Sequence, residues 1–467
     1  MKVGQLLAVI CLNAAFTLAI PQDSHRSRQA TEQLGPQEPT PESPGDDSPP
    51  KPRSYAGYQS EILAKGFMGS VPIITTDPKK LEAQAQAKMT PKAFGFLAGG
   101  SGEGATLEAN RLAFKQWRIV PRMLVSSAPR DLSINMFNRT YPSPVMMAPI
   151  GFQHIFHPDG EPGVAEIAQE LGIPYIMSMN SHASPEEIAK GNGDGERWYQ
   201  FYWQTPDFIT TQTLKKAQAA GYHVLVVTLD AFQLGWRPAD LDQGYMPTNF
   251  GVGDLSLGGN NSLTSLLGGP DGSGGVGKIR AVSETTGTAT NMEAAQDAPG
   301  GIGALLSANP TWDRLPFLRK NWAGPILLKG IQHPDDAKKA LAAGMDGIIV
   351  SNHGGRQMDG GPGSLEVLPD IVEAVGGKIP VLFDSGIRTG ADIIKALALG
   401  ASAVLVGRPW AFGMGINGKA GAKEVMRGIL AQLEINMSVA GLRSVKDINR
   451  SVLRRSPWAY SPRGVGE

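Results

Sequence analysis

Cysteine is all but absent from this 467-residue chain, and the single one, Cys11, falls in an apolar stretch at the N-terminus. A chain from which that stretch has been removed holds neither a disulfide nor a thiol nucleophile, which excludes cysteine chemistry. Excess charge is absent as well: 43 Lys and Arg balance 43 Asp and Glu. With no net field to offer, the chain is suited neither to nucleic acid nor to an anionic membrane surface. Long apolar runs are also missing. The stretch from Leu6 to Ala19 ends before Pro21 and Asp23, short of the roughly 20 residues that a membrane span needs. No G-x-G-x-x-G turn follows the first strand-like run, which argues against an open doubly wound sheet, and no internal repeat is evident.

The basic start at Lys2, the apolar stretch and the small residues around Ala19 identify residues 1–19 as a secretory signal peptide. The expected destination is therefore the secretory-pathway lumen or the extracellular space. Residues 20–57 carry eight prolines between Pro21 and Pro52, among Gln, Glu, Ser and Asp. That composition cannot offset the entropy of ordering and reads as a disordered leader. Sequons at Asn138, Asn260, Asn436 and Asn449 permit glycosylation. Residues 58–467, in a chain 41% hydrophobic overall, form a single domain able to bury an enzyme-sized core.

From Pro142 onward, eight short and nearly all-apolar runs alternate with amphipathic helical stretches: PVMMAPI, IPYIMS, RWYQFYW, HVLVVTLD, PILLKG, GIIVSN, IPVLFDSG and AVLVGRP. Runs of this kind suit parallel strands buried on both faces. Eight strand–helix units over about 300 residues predict an α/β fold, a (β/α)8 TIM barrel, preceded by an N-terminal helical segment. One connection breaks the rhythm. Residues 244–310, after the fourth run, are rich in Gly, Ser, Thr and Asn and are expected to be a lid or flexible loop.

A closed barrel brings the C-terminal ends of its strands to one mouth, where active sites sit. The eight ends supply Ala148, Pro149 and Ile150; Ser178; Gln200 and Tyr202; Thr228 and Asp230; Lys329; Ser351, His353 and Arg356; Asp384, Gly386 and Arg388; and Gly407 and Arg408. So many polar groups at the ends of apolar strands are costly unless a bound molecule satisfies them. Around Arg388 and Arg408, glycines expose backbone N–H groups, and a helix is expected to start near Thr389. This is a phosphate site, in the place after strands seven and eight where barrels commonly hold one. Arg237, Arg356, Tyr202, His353 and Asp230 make up the other part, in which paired guanidiniums suit a planar carboxylate. A phosphorylated cofactor and a carboxylate substrate are expected, and no metal.

The segments SNHGGRQMD, LDAFQLGWRPAD, PILLKG, DSGIRTG and GRPW, in a stretch from about residue 60 to 455, resemble the FMN-dependent 2-hydroxy acid oxidases and dehydrogenases, the glycolate and lactate oxidase group. Within it, FGFLAGGSG and GWRPADLDQGYMPTNFGVG look closest to lactate 2-monooxygenase. The resemblance implies FMN as cofactor, a small 2-hydroxy acid as substrate, O2 as acceptor and a homotetramer. The products would be a 2-keto acid and peroxide, with decarboxylation if the lid retains the keto acid. It further implies His353 as general base oriented by Asp230, with the imidazole pKa raised by that partner. Arg237 and Arg356 would clamp the carboxylate, and Tyr202 would hydrogen-bond the substrate oxygen. Lys329 would lie by flavin N1 and O2. Ala148, Pro149, Ile150, Ser178, Gln200 and Thr228 would face the isoalloxazine, and Ser351, Asp384, Gly386, Arg388, Gly407 and Arg408 would complete the cofactor site.

Taken singly, these residues have plainer readings. His154, His157, His182, His223 and His333 read as surface or helix histidines, SNHGG alone is a turn, and Asp384 with Arg388 could be a structural ion pair. Two positions depart from the family pattern: Phe96 stands where a carboxylate-binding tyrosine is usual, and Asn180 where glycolate oxidases carry tryptophan. Both alter the substrate pocket, in favour of an acid larger or less acidic than lactate. An FMN barrel of isomerase type, or a non-catalytic secreted barrel, are the other readings of the residues.

Overall fold

The computed structural model describes residues 53–204, 207–245, 247 and 310–457. The expected signal peptide with Cys11, the expected leader up to Pro52, the Asn260 sequon and nearly all of the loop expected over residues 244–310 lie outside them.

Eight parallel strands close into a barrel, each hydrogen-bonded to the next in chain order and the last to the first. They are β1 (Val145–Met147), β2 (Tyr175–Ser178), β3 (Arg197–Phe201), β4 (Val224–Thr228), β5 (Ile326–Lys329), β6 (Gly347–Val350), β7 (Val381–Phe383) and β8 (Ala403–Val406). Each coincides with one of the eight apolar runs. Prolines mark where four of them begin: Pro144, Pro174, Pro325 and Pro380 precede β1, β2, β5 and β7. Lacking an N–H, each ends its strand's own donor ladder, yet its carbonyl accepts from the neighbouring strand at Val404, Met147, Leu225 and Ile348.

Alternation along each strand divides the core in two. Met146, Ile176, Trp198, Val224, Val226, Leu327, Ile349, Leu382 and Leu405 fill the barrel interior. Val145, Met147, Leu225, Val227, Leu328, Ile348, Val404 and Val406 face the surrounding helices. At the N-terminal mouth, a hairpin of Ile134–Met136 and Arg139–Tyr141 turns through Phe137 and Asn138, both at positive φ. The rings of Phe137 and Tyr141 lie 5.8 and 6.2 Å from that of Trp198 and plug this end. The mouth at the strands' C-terminal ends is left for ligands.

The expected N-terminal helical segment comprises helices Gly57–Phe67, Leu81–Gln86, Pro91–Ala98 and Ala105–Lys115. Chain packing extends upstream of Tyr58, into the end of the proline-rich stretch. The buried Glu434 carboxylate accepts from Ala56 N at 2.8 Å and from Ser54 Oγ at 3.1 Å, and forms an ion pair with Arg130 at 3.0 Å. Helix Pro91–Ala98, capped by Thr90 with proline at its first position, packs against helix Pro238–Leu241. Its last turn and Gly99 bring the carbonyls of Phe96, Leu97 and Gly99 to the arginines at the open mouth.

Candidate active site

Closure of the barrel gathers the strand ends around a cavity of about 610 Å³, within the size range of sites for cofactors and small molecules. Of the residues singled out above, Phe96, Ala148, Pro149, Ile150, Ser178, Gln200, Tyr202, Thr228, Arg237, Lys329, His353, Arg356, Asp384, Gly386, Arg388, Gly407 and Arg408 line it. Asp230 and Ser351 stand behind the wall instead, and act on residues that reach it.

At the centre, Asp230 Oδ1 lies 2.8 Å from His353 Nδ1. A carboxylate only accepts, so Nδ1 carries the proton and the neutral imidazole leaves Nε2 as a free base. Asp230 Oδ2 has no hydrogen-bond partner among the described residues, but Lys329 Nζ is 4.0 Å away. The same ammonium is 3.4 Å from Asp384 Oδ2 and donates to Ser351 Oγ at 2.9 Å, and that hydroxyl also accepts from His353 N at 3.0 Å. Asp384 is therefore paired with Lys329 rather than with Arg388, and Ser351 supports the lysine and the histidine from beneath the surface.

Charge settles among these groups as their surroundings dictate. Burial opposes the ammonium of Lys329, yet Asp230 and Asp384 outweigh it and raise its pKa. Burial opposes the Asp230 carboxylate too, and Lys329 and His353 outweigh it, holding that pKa down. His353 runs against the sequence-based expectation of a raised pKa. Burial, with Lys329 and Arg237 nearby, overrides Asp230 and lowers it below the ordinary value. The resting histidine is a neutral base. Burial raises the pKa of Tyr202, so its phenol stays protonated as a donor.

Arg237 and Arg356 are held by acceptors that leave part of each guanidinium for the cavity. Arg237 Nε donates to Arg356 O at 2.8 Å, and its Nη2 to Gln357 Oε1. Arg356 Nη1 donates to Phe96 O and, at 3.1 Å, to Gly99 O, and its guanidinium lies 4.9 Å from the centre of the Phe96 ring. Burial lowers the pKa of both arginines. Each therefore gains from an anion between them. Gly235 lets the two loops meet, since a Cβ there would lie 2.5 Å from the carbonyl oxygens of Arg356 and Gln357.

The other end of the cavity is built for an anion. Arg408 gives one N–H from each of its three nitrogens to carbonyls, of Leu97 at 2.9 Å, Gly354 at 2.7 Å and Gly99 at 2.9 Å, which leaves two of its five donors for a ligand, and Arg388 Nη1 donates to Ile387 O at 3.0 Å. Burial pushes the Arg388 pKa down to about 10 and that of Arg408 to about 9. Two desolvated guanidiniums to which no carboxylate among the described residues is hydrogen-bonded are stabilised by a phosphate dianion. Ser385 and Gly386, at φ of 82° and 93°, expose the backbone beside them. Helix Gly390–Ala398 begins at the Thr389 cap, and helix Arg408–Ala440 starts directly after Gly407. These residues fit a flavin phosphate.

The sequence reasoning missed several lining residues. Gln357, Ser385 and Asp240 matter most. Ser385 Oγ donates to Asp384 and accepts from Gly354 N at 3.0 Å. Asp240 faces the cavity with a buried Oδ1 that has no hydrogen-bond partner among the described residues, and burial raises its pKa against the pull of Arg356 and Arg237. Gln357 and Asp240 sat inside quoted motifs, but only the folded loops give them partners. Phe152, Leu234 and Tyr245 add apolar and aromatic lining, and Asn180 takes its place beside Gly151.

A barrel with a phosphate cradle, a buried lysine and a histidine–carboxylate pair beside two arginines defines a class, the flavin-dependent oxidoreductases of hydroxy acids. The FMN-dependent dehydrogenase family model matches residues 85–455. An FMN-dependent alpha-hydroxy acid dehydrogenase of Penicillium citrinum is 46% identical over 405 residues, covering 86% of this chain and 97% of that protein. An L-lactate oxidase of Lysinibacillus sphaericus is 37% identical, covering 84% and 96%. Among solved structures, mandelate oxidase with (S)-2-phenylpropionate superposes with a TM-score of 0.66 at 33% identity, covering 82% and 98%, and a lactate oxidase of Pediococcus acidilactici with 0.68 at 32%, covering 81% and 94%. The chain belongs to the FMN-dependent dehydrogenase family and is an FMN enzyme of 2-hydroxy acid oxidation.

Proposed function

We propose that this enzyme oxidises a 2-hydroxy acid with an apolar side chain larger than that of lactate, and passes the electrons to O2. FMN, when bound, supplies the two-electron acceptor for the C2 hydrogen. Arg237 and Arg356 receive the substrate carboxylate in the gap their own carbonyl partners leave open. Tyr202 donates a hydrogen bond to the substrate oxygen. His353 Nε2 takes the hydroxyl proton, and Asp230 stabilises the imidazolium that results. Lys329, held cationic by Asp230 and Asp384, offers positive charge to the cofactor ring. Arg388 and Arg408 with Gly386 and Gly407 hold the phosphate. The observation that carries this reading is the 2.8 Å Asp230–His353 contact on a cavity that also presents both arginines. Phe96, Phe152, Leu234 and Tyr245 on the same cavity support the larger side chain.

Two finer steps complete the proposal. The hydroxy acid and O2 give the 2-keto acid and hydrogen peroxide. In the lactate 2-monooxygenase-like outcome, the keto acid and peroxide then yield the carboxylic acid one carbon shorter, CO2 and water. The likeness of FGFLAGGSG and the residues after Arg237 supports this second step. We further propose a homotetramer and secretion directed by residues 1–19, on the motif resemblance and the Leu6–Ala19 stretch respectively.

Anaerobic titration of the yellow protein against lactate, mandelate and longer hydroxy acids tests the reading. Bleaching by the bulkier acids, abolished in a His353→Ala variant that stays yellow, is the expected result. Peroxide and shortened-acid assays in air separate oxidase from monooxygenase. Absence of bleaching with every acid overturns the proposal.

A further inference from the structure

Two loops carry the proposed chemistry, and one side chain outside the named set joins them. The loop after β4 holds Asp230, Gln233, Gly235 and Arg237; the loop after β6 holds His353, Arg356 and Gln357. Gln357 Nε2 donates to Asp230 O at 2.9 Å and to Gln233 O at 2.7 Å. Its Oε1 accepts from Gly235 N at 3.4 Å and from Arg237 Nη2. One amide thus uses both donors and its acceptor on the backbone of the catalytic carboxylate and the guanidinium of the clamp, 120 or more residues away in the chain.

We propose that Gln357 is the positioning residue that couples the carboxylate clamp to the Asp230–His353 pair, its acceptor end orienting Arg237 and its donor end fixing the carbonyl of Asp230. The inference rests on the roles proposed above for Arg237 and Asp230. Without Gln357 Oε1, the bond that Arg237 retains among the described residues is that of its Nε to Arg356 O, and its guanidinium turns about that anchor. Without the two donations, the segment from Asp230 to Gln233 loses its tie to the histidine loop. A carboxyl that moves relative to its imidazole no longer holds the tautomer or the charge. Shifts of about 1 Å in such a site cost on the order of 100-fold.

The two ends of the amide can be separated by substitution. Gln357→Glu keeps an acceptor for Arg237 but loses both donors. Gln357→Met, of similar length, loses both functions. The readouts on the FMN-loaded enzyme are KM and kcat for the best hydroxy acid, the pH profile of kcat/KM, and the Kd of oxalate followed by the flavin spectrum. Oxalate carries the carboxylate but no C2 hydrogen.

In Gln357→Met, KM and the oxalate Kd should both rise by roughly tenfold or more, kcat should fall and the acid limb of the profile should move. In Gln357→Glu, KM and Kd should stay within about threefold of the parent, while kcat falls and the limb moves. A merely structural role would lower the melting temperature and the flavin content alike in both variants, leaving KM, Kd and the limb in place. That result overturns the proposal, as does an equal rise of the oxalate Kd in both variants. Failure of the functional reading is distinct: the parent enzyme then bleaches with no hydroxy acid, and the oxalate titration still reports on the clamp.

Discussion

Replacing Asp230 with asparagine isolates the electrostatic part of the mechanism. The amide has the same shape and can still accept from His353 Nδ1 through its oxygen, so the tautomer with Nε2 free is retained while the negative charge is lost. With Nδ1 and Oδ1 2.8 Å apart, the charge centres of imidazolium and carboxylate lie about 4 Å apart, worth about 4 kcal/mol at an effective dielectric near 20. Only part of that charge has developed at the transition state, so about 2 to 4 kcal/mol is lost, or roughly 30- to 1,000-fold in rate. Lys329, 4.0 Å from Asp230 Oδ2, adds to the loss because its repulsion of the imidazolium is no longer offset. The assay is stopped-flow bleaching of the flavin under anaerobic conditions, with flavin content as the control for folding. Two changes should appear together: a slower plateau, and an acid limb shifted to lower pH, because the protonated histidine has lost its counter-charge. A plateau within threefold of the parent, or a limb shifted upward, would refute the assignment of Asp230 as the charge that stabilises His353.

Burial, Lys329 and Arg237 hold the His353 pKa below its ordinary 6.5; since the neutral ring is the working form, kcat/KM should fall away only as pH drops through a value below 6.5 and be insensitive to this group above it, as a pH profile will show. Arg388→Ala should weaken FMN binding by about 10- to 150-fold, the equivalent of about 1.5–3 kcal/mol for a hydrogen bond to a charged group, measured by fluorescence titration of the apoprotein. Gly235→Ala would drive a Cβ into the carbonyls of Arg356 and Gln357; bleaching should slow on the order of 100-fold with flavin content unchanged. Phe96→Tyr adds a phenol next to Arg356 and should lower KM by about tenfold if its hydroxyl reaches the substrate carboxylate, with little change in kcat.

The eight strands were legible because a parallel strand covered on both faces must be apolar throughout, and the glycines, prolines and polar residues at its ends mark where that cover stops. Strand-end residues such as Lys329, His353 and Arg408 could be named together because barrel closure brings the C-terminal ends of all strands to one mouth. Nothing local marked Gln357, whose amide would be an ordinary exposed side chain in an isolated turn. Nor did the motifs show that Asp384 pairs with Lys329 instead of Arg388, or that Ser351 turns its hydroxyl inward to the lysine and the histidine backbone.

The amino-acid order alone determined the alternation of apolar strands and amphipathic helices, and with it the barrel, the cofactor family and the set of side chains at the mouth, since hydrophobic periodicity and motif residues are local properties of the chain. The tertiary structure alone decided which groups touch and what charge they carry. The Asp230–His353 contact spans 123 positions, and the lowered pKa of His353 is the balance of burial, one carboxylate and two cations that come together only when the strands close.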